Sequence, residues 1–166
     1  LYGRSADNIR DHRHVTSLLH RISTQEYGIE VSPVLSFDER GHQKNSTTYF
    51  VYGSKEDGTK PETFYPTNEM FIGEGGSFLN PEAVRTVKEG VKAGAKIQGK
   101  EAVGALAFES VELKAGEKTG YIVVAGITDD VLEIEKTTVL YRTKEAVLEC
   151  FENTKRHWVE KVNIDF

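Results

Sequence analysis

Cysteine is almost absent from this sequence: Cys150 is the only one, as Met70 is the only methionine. A single cysteine excludes an internal disulfide framework and a cysteine-rich zinc site. Its place beside Phe151, in an apolar helical stripe, reads as a small core residue, since no histidine or aspartate accompanies it in the pattern to make it a nucleophile. Long apolar runs are missing as well. None comes near the ~20 residues that span a bilayer. Leu1 to Arg13 is polar and has neither the apolar stretch nor the cleavage site of a secretory signal. Basic patches are also lacking: the net charge of −5 is spread along the chain, which argues against a nucleic-acid partner. These absences lead to the expectation of a soluble cytoplasmic protein with neither membrane nor nucleic acid as partner. The chain opens on Leu1 and closes on a helix with an unpartnered apolar stripe, so it is expected to be a segment of a longer protein.

What is present is mostly strand signal. The stretch Val15, Leu18, Leu19 fits a helical turn, and a strand from His14 to Ile22 fits almost as well. From Gly28, Ile29, Val31, Leu35 and Phe37 alternate with polar or small residues, the period of a half-buried strand. Pro33 requires that strand to be at an edge, bulged or bent. Asp38 to Asn45 reads as a polar loop. Thr47 to Tyr52 is dense in β-branched and aromatic residues and reads as a strand. Lys55 to Lys60, centred on Asp57-Gly58, reads as a turn. A second β block covers Ala102–Phe108, Val111–Leu113 and Tyr121–Ile127, with Lys114–Lys118 as the hairpin turn between the last two. Between the blocks, Asn80 as cap, Pro81 at the first position, Glu82 and a terminating Gly90 predict a short helix. Asp129 to Tyr141 is expected to be helical. Beyond Thr143, Val147, Phe151, Thr154, Trp158 and Val162 recur at helical spacing. The simplest architecture is two sheets face to face with helices appended.

Few constellations point to chemistry. Gly73-Glu74-Gly75-Gly76 precedes the short helix and could cradle a phosphate on backbone N–H groups. Its spacing matches neither the dinucleotide fingerprint nor the P-loop, which favours a tight turn needing positive φ. His12 and His14 would share a strand face, with His20 beyond, as some metal sites require. The intervening Arg13 would repel a cation, which favours structural or interface histidines. Asp38, Glu39, Arg40 and His42 share one polar stretch. Adjacent carboxylates there are not placed for acid and base roles, while an arginine can clamp an anion or sugar hydroxyls. Tyr49, Tyr52, Phe64, Tyr65, Phe71 and Phe78 could stack on sugars, but core packing explains most of them better.

Three stretches in order, Asp11-His12-Arg13-His14-Val15-Thr16-Ser17-Leu18-Leu19, Ser36-Phe37-Asp38-Glu39-Arg40-Gly41-His42 and Phe71-Ile72-Gly73-Glu74-Gly75-Gly76-Ser77-Phe78-Leu79-Asn80-Pro81, resemble the inverting disaccharide phosphorylases. The last is the most specific, and the pattern is most similar to the cellodextrin branch. The resemblance implies a mainly β segment of a galactose-mutarotase-like β super-sandwich. Residues 1–128 would be its later part, and 129–166 a helical linker toward an (α/α)6 catalytic barrel. It further implies phosphate-dependent cleavage of β-linked gluco-oligosaccharides to α-glucose 1-phosphate, with inversion and with no cofactor beyond inorganic phosphate as co-substrate. A homodimer is implied as well, with this domain as scaffold and interface. The general acid of the family lies in the barrel, so no catalytic residue carries over to this chain. The loop after Phe37 corresponds to one that reaches the partner's active site; Arg40 would touch sugar or phosphate, with Asp38 and His42 orienting it. The rival readings are a free-standing carbohydrate-binding β-sandwich and a histidine-metal barrel of cupin type.

Overall fold

A computed structural model describes residues 17–38 and 41–164. The body is a five-stranded antiparallel sheet of β1 (His20–Thr24), β2 (Gly28–Pro33), β5 (Thr48–Lys55), β7 (Lys96–Gln98) and β9 (Tyr121–Thr128). Their order across the sheet is β7-β1-β2-β5-β9. A two-stranded ribbon of β6 (Thr63–Thr67) and β8 (Ala102–Ala107) forms a second layer, and β3 (Leu35–Asp38) and β4 (Gly41–Lys44) form a separate hairpin. The fold is therefore mainly β with a few helices, and its second layer is smaller than the facing sheet expected from the sequence.

Register explains which side chains are inside. Ile22 opposes Val31, Ile29 opposes Val51, and Val31 opposes Tyr49, so these residues share one face of the large sheet. The β6–β8 ribbon covers the β1–β2 half of that face. Phe64, only 1% exposed, meets Ile22 and Ile29 there, with Val31, Val91, Ile97, Ala102 and Leu106 packed around them. Burying a phenylalanine side chain in this way contributes about 3 kcal/mol. Pro66 is fully buried and lies where the β6–β8 register shifts between Tyr65 and Thr67, a position that asks no ladder N–H of it. Buried Thr24 pins the chain leading into β7: its hydroxyl donates to the Lys92 carbonyl at 2.8 Å and accepts from Ala95 N–H at 2.9 Å.

Four helices with described bounds follow from local signals. Helix α1 (Asn68–Ile72) is capped by Thr67, whose hydroxyl accepts from the Met70 N–H, and it ends at Gly73 with φ 74°. Helix α2 spans only Glu82–Arg85, with Pro81 rather than Asn80 at the cap and its end at Thr86, well before Gly90. Helix α3 (Val131–Leu140) is capped by Asp130, whose carboxylate accepts from the Leu132 N–H at 2.9 Å. It packs on the opposite face of the large sheet, over β5 and β9, through buried Ile134 and Thr138. Helix α4 (Lys144–Ile164) starts at Thr143, whose hydroxyl accepts from Ala146 N–H. The Lys144 ammonium ties its first turn to Glu56 at 2.9 Å. Phe151, Trp158 and Val162 are then 57, 55 and 49% exposed, so the predicted stripe is present and nothing among the described residues covers it.

Several expectations need correction. Asp38 to Asn45 is not a loop, because Gly41–Lys44 pairs antiparallel with Leu35–Asp38. Of the alternatives at Pro33 the bend holds and the edge does not: β2 lies between β1 and β5, and Pro33 is its last residue, where the chain bends at Val34 into β3. Val111–Leu113 is not a strand. Lys114–Lys118 does contain a turn, closed by the Glu117 N–H on the Lys114 carbonyl, but it joins no hairpin, since β8 pairs with β6 and β9 with β5. Of the stretch that fits either a helical turn or a strand, residues 14–16 lie outside the described residues, Leu18 and Leu19 form a turn, and β1 begins at His20. Among the described residues no helix is long and apolar enough to cross a membrane.

Candidate functional site

The hairpin and the surface at its root form the site best equipped to meet a ligand. The Val34 N–H donates to the Leu19 carbonyl, and the Asn45 N–H donates to the Val34 carbonyl, which fixes both hairpin strands where β2 ends. Beyond that root β3 and β4 pack chiefly on each other, so the hairpin stands off the sheet as an arm. Asp38 closes β3 opposite Gly41, and His42 lies in β4 opposite Phe37. The structure therefore brings Asp38 and His42 onto one hairpin, while Arg40 and Glu39 lie outside the described residues.

At the root, the apolar face of the sheet opens into a groove of about 330 Å³ between β2, β5 and β8, lined by His20, Val31, Tyr49, Val51, Ala102 and Gly104, among others. Small residues on β8 shape it. A Cβ on Gly104 would come 2.7 Å from a Val51 methyl, so the ribbon can approach β5 only with glycine there. The ring of Tyr49 forms one wall and is half exposed. His20 faces Lys100 through its Nδ1, 3.3 Å from that carbonyl. Among the described residues the lining holds no carboxylate. Such a groove can seat an apolar or sugar face against an aromatic ring.

A second polar cluster occupies the opposite face. Glu30 accepts from the Tyr52 hydroxyl at 2.6 Å, from Gln25 Nε2 at 3.1 Å and from the Ser23 hydroxyl at 3.4 Å. Burial first, then this hydrogen bond and the charges of Glu30 and Glu135, push the Tyr52 phenol above its ordinary range. With its oxygens committed as acceptors, Glu30 is an anchor for β1, β2 and β5. Nearby, the Arg142 guanidinium stacks over the Tyr27 ring at 4.0 Å, and the Ser54 hydroxyl donates to the Arg142 carbonyl at 2.7 Å. These contacts hold the α3–α4 junction on the sheet.

The other sequence candidates separate clearly. Gly73 and Gly75 both have φ 74°, in agreement with the tight-turn reading. The Glu82 carboxylate lies where a Gly73 side chain would be, which sets a negative charge against any phosphate in that turn. His12 and His14 lie outside the described residues, and among the described residues no three histidine, cysteine, aspartate or glutamate side chains converge. Cys150 is a half-buried residue of α4, its thiol donating to the hydroxyl of Tyr141 at the end of α3 at 3.3 Å. Of the six aromatics, Phe64 and Tyr65 are buried, while Tyr49 and Phe78 reach solvent. Sequence reasoning did not join His20 with Tyr49. Their proximity depends on β1 and β5 both flanking β2, and no local pattern encodes that.

Comparison of the sequence with protein-family models and with curated proteins returns no match.

Proposed function

We propose that this chain is a segment of the N-terminal β super-sandwich, with its linker helices, of an inverting glycoside phosphorylase acting on β-glucans of the cellobiose or cellodextrin type. In that reaction a carboxylic acid in the catalytic barrel protonates the leaving glycosidic oxygen. Phosphate attacks the anomeric carbon from the opposite side, giving α-glucose 1-phosphate and a shortened sugar. The chain serves as scaffold and homodimer interface and lends Arg40, oriented by Asp38 and His42, to bind sugar or phosphate.

The observation that carries this reading is helix α4. Its 21 residues present Phe151, Trp158 and Val162 to solvent, and a helix with such a stripe draws its stability from an apolar partner. A groove without a carboxylate among the described residues, and the projecting arm, agree with a domain that binds and positions while the acid resides elsewhere. In the full-length protein, Arg40→Ala should lower phosphorolysis roughly a hundredfold, as loss of one charged clamp does, and leave thermal stability unchanged. Unchanged phosphorolysis removes Arg40 from the site.

The half-exposed Tyr49 beside the groove favours one alternative, a free-standing carbohydrate-binding module. Saturable binding of cello-oligosaccharides by the chain alone, abolished by Tyr49→Ala, would establish it.

A further inference from the structure

Strand β9 is the edge of the five-stranded sheet, and among the described residues nothing pairs with its outer side. The parity of its backbone follows from β5. The Gly53 N–H turns toward β2, reaching the Tyr27 carbonyl at 2.8 Å, while the Glu56 N–H turns toward β9, reaching the Gly120 carbonyl at 3.2 Å. The even residues of β5 therefore bond to β9. By the register, Ile122, Val124, Gly126 and Thr128 bond back. The N–H and C=O groups of Tyr121, Val123, Ala125 and Ile127 point outward into solvent. The same four side chains lie on the apolar face of the sheet, where Val123 and Ile127 are 62 and 59% exposed.

Edge strands ordinarily carry a lysine, a proline, a bulge or a cover. Tyr121-Ile122-Val123-Val124-Ala125-Gly126-Ile127-Thr128 has no charge and no proline, and its pairing with β5 runs without a bulge. It is a ready ladder for another strand. The strand is also complementary to itself. An antiparallel twofold centred on Val124 sets Tyr121 opposite Ile127 and Val123 opposite Ala125 of a second copy. All four outward-facing residues then meet outward-facing residues in hydrogen-bonded pairs, and their side chains stay on the same apolar face. A twofold centred on Ala125 would instead set Tyr121 opposite Asp129. In the Val124 register, the first charged residues beyond one end of the strand and the second beyond the other, Lys118 and Asp130, have opposite sign and approach each other across the copies.

We propose that β9 is a self-association edge, through which two copies of this chain join their sheets by antiparallel β9–β9 pairing centred on Val124. The inference rests on edge geometry alone and stands whether or not the chain belongs to a sugar phosphorylase.

Two variants test it with the 166-residue chain. Val123→Pro removes an outward N–H that β5 does not use. Sedimentation equilibrium should give a dimer for the unaltered chain and a dissociation constant raised by roughly tenfold or more for Val123→Pro, with the circular dichroism spectrum retained. The second variant probes register and does not depend on the proline. In a Cys150→Ser background, Val124→Cys sets two thiols opposite each other at about 4.5 Å between Cα atoms. Ile122→Cys separates them by about 13 Å along the strands. Mild oxidation should cross-link the Val124→Cys chain into a covalent dimer and leave Ile122→Cys monomeric. A monomeric unaltered chain, a dimer that survives Val123→Pro, or cross-linking at position 122 in place of 124 would overturn the proposal.

Discussion

The Tyr52 hydroxyl donates to Glu30 Oε1 at 2.6 Å, joining β5 to β2 diagonally on the face that α3 partly covers. Because burial and Glu30 raise the Tyr52 pKa, the protonated phenol is the form that the fold favours. A raised folded-state pKa gives stabilisation that is complete below the unfolded tyrosine value of about 10 and is lost as pH climbs above it. Urea denaturation should show stability falling above that pH, and Tyr52→Phe should flatten the fall. At neutral pH the same substitution should cost about 1 kcal/mol, since Glu30 keeps Gln25 as a donor.

Phe64 closes the core between the ribbon and the large sheet. Phe64→Ala should cost about 4 kcal/mol. In urea titrations the midpoint should fall while the slope is preserved, since the surface exposed on unfolding barely changes. A loss under 1 kcal/mol would mean that the ribbon does not pack as described.

The glycines of the Phe71–Pro81 segment differ in what surrounds them. Gly73 has φ 74° and the Glu82 side chain where a Cβ would go, whereas Gly75 has the same φ and open space around it. Gly75→Ala should therefore cost only the backbone strain, roughly 1–2 kcal/mol. Gly73→Ala should cost more, because Glu82 must also move. Thermal melting of the two variants measures the difference directly, and equal losses would contradict the crowding at Gly73.

Trp158 is the only tryptophan, so its fluorescence reports on helix α4 alone. In this chain, 55% exposed, it should emit as a solvated indole and be quenched freely by iodide. In a longer protein in which a further domain docks on the stripe, as proposed above, it should shift to the blue and resist quenching. The same spectrum in both would show that α4 docks on nothing.

Elements whose signal is local were legible in the sequence. The β-branched and aromatic run at Thr48–Tyr52 forms most of β5, the helix expected over Asp129 to Tyr141 is α3, and the Val147-Phe151-Trp158 spacing gives α4. Where a strand is defined by its partner, periodicity was silent or misleading. Gly41-His42-Gln43-Lys44 is polar throughout and is a strand only because Leu35–Asp38 lies beside it. Val111-Glu112-Leu113 alternates like a strand yet pairs with nothing among the described residues. The Thr63–Thr67 strand is masked by Pro66, which is tolerated only at the register shift. The candidate site divides in the same way. Asp38 and His42 were named from a contiguous motif, whereas the groove of His20 and Tyr49 exists only through the strand order β1-β2-β5.

Incubating the longer protein proposed above with cello-oligosaccharides and inorganic phosphate, and assaying α-glucose 1-phosphate, decides the phosphorylase reading. Glucose 1-phosphate should be released in strict proportion to the sugar shortened, with none in the absence of phosphate. No glucose 1-phosphate from any β-linked glucan would contradict that reading.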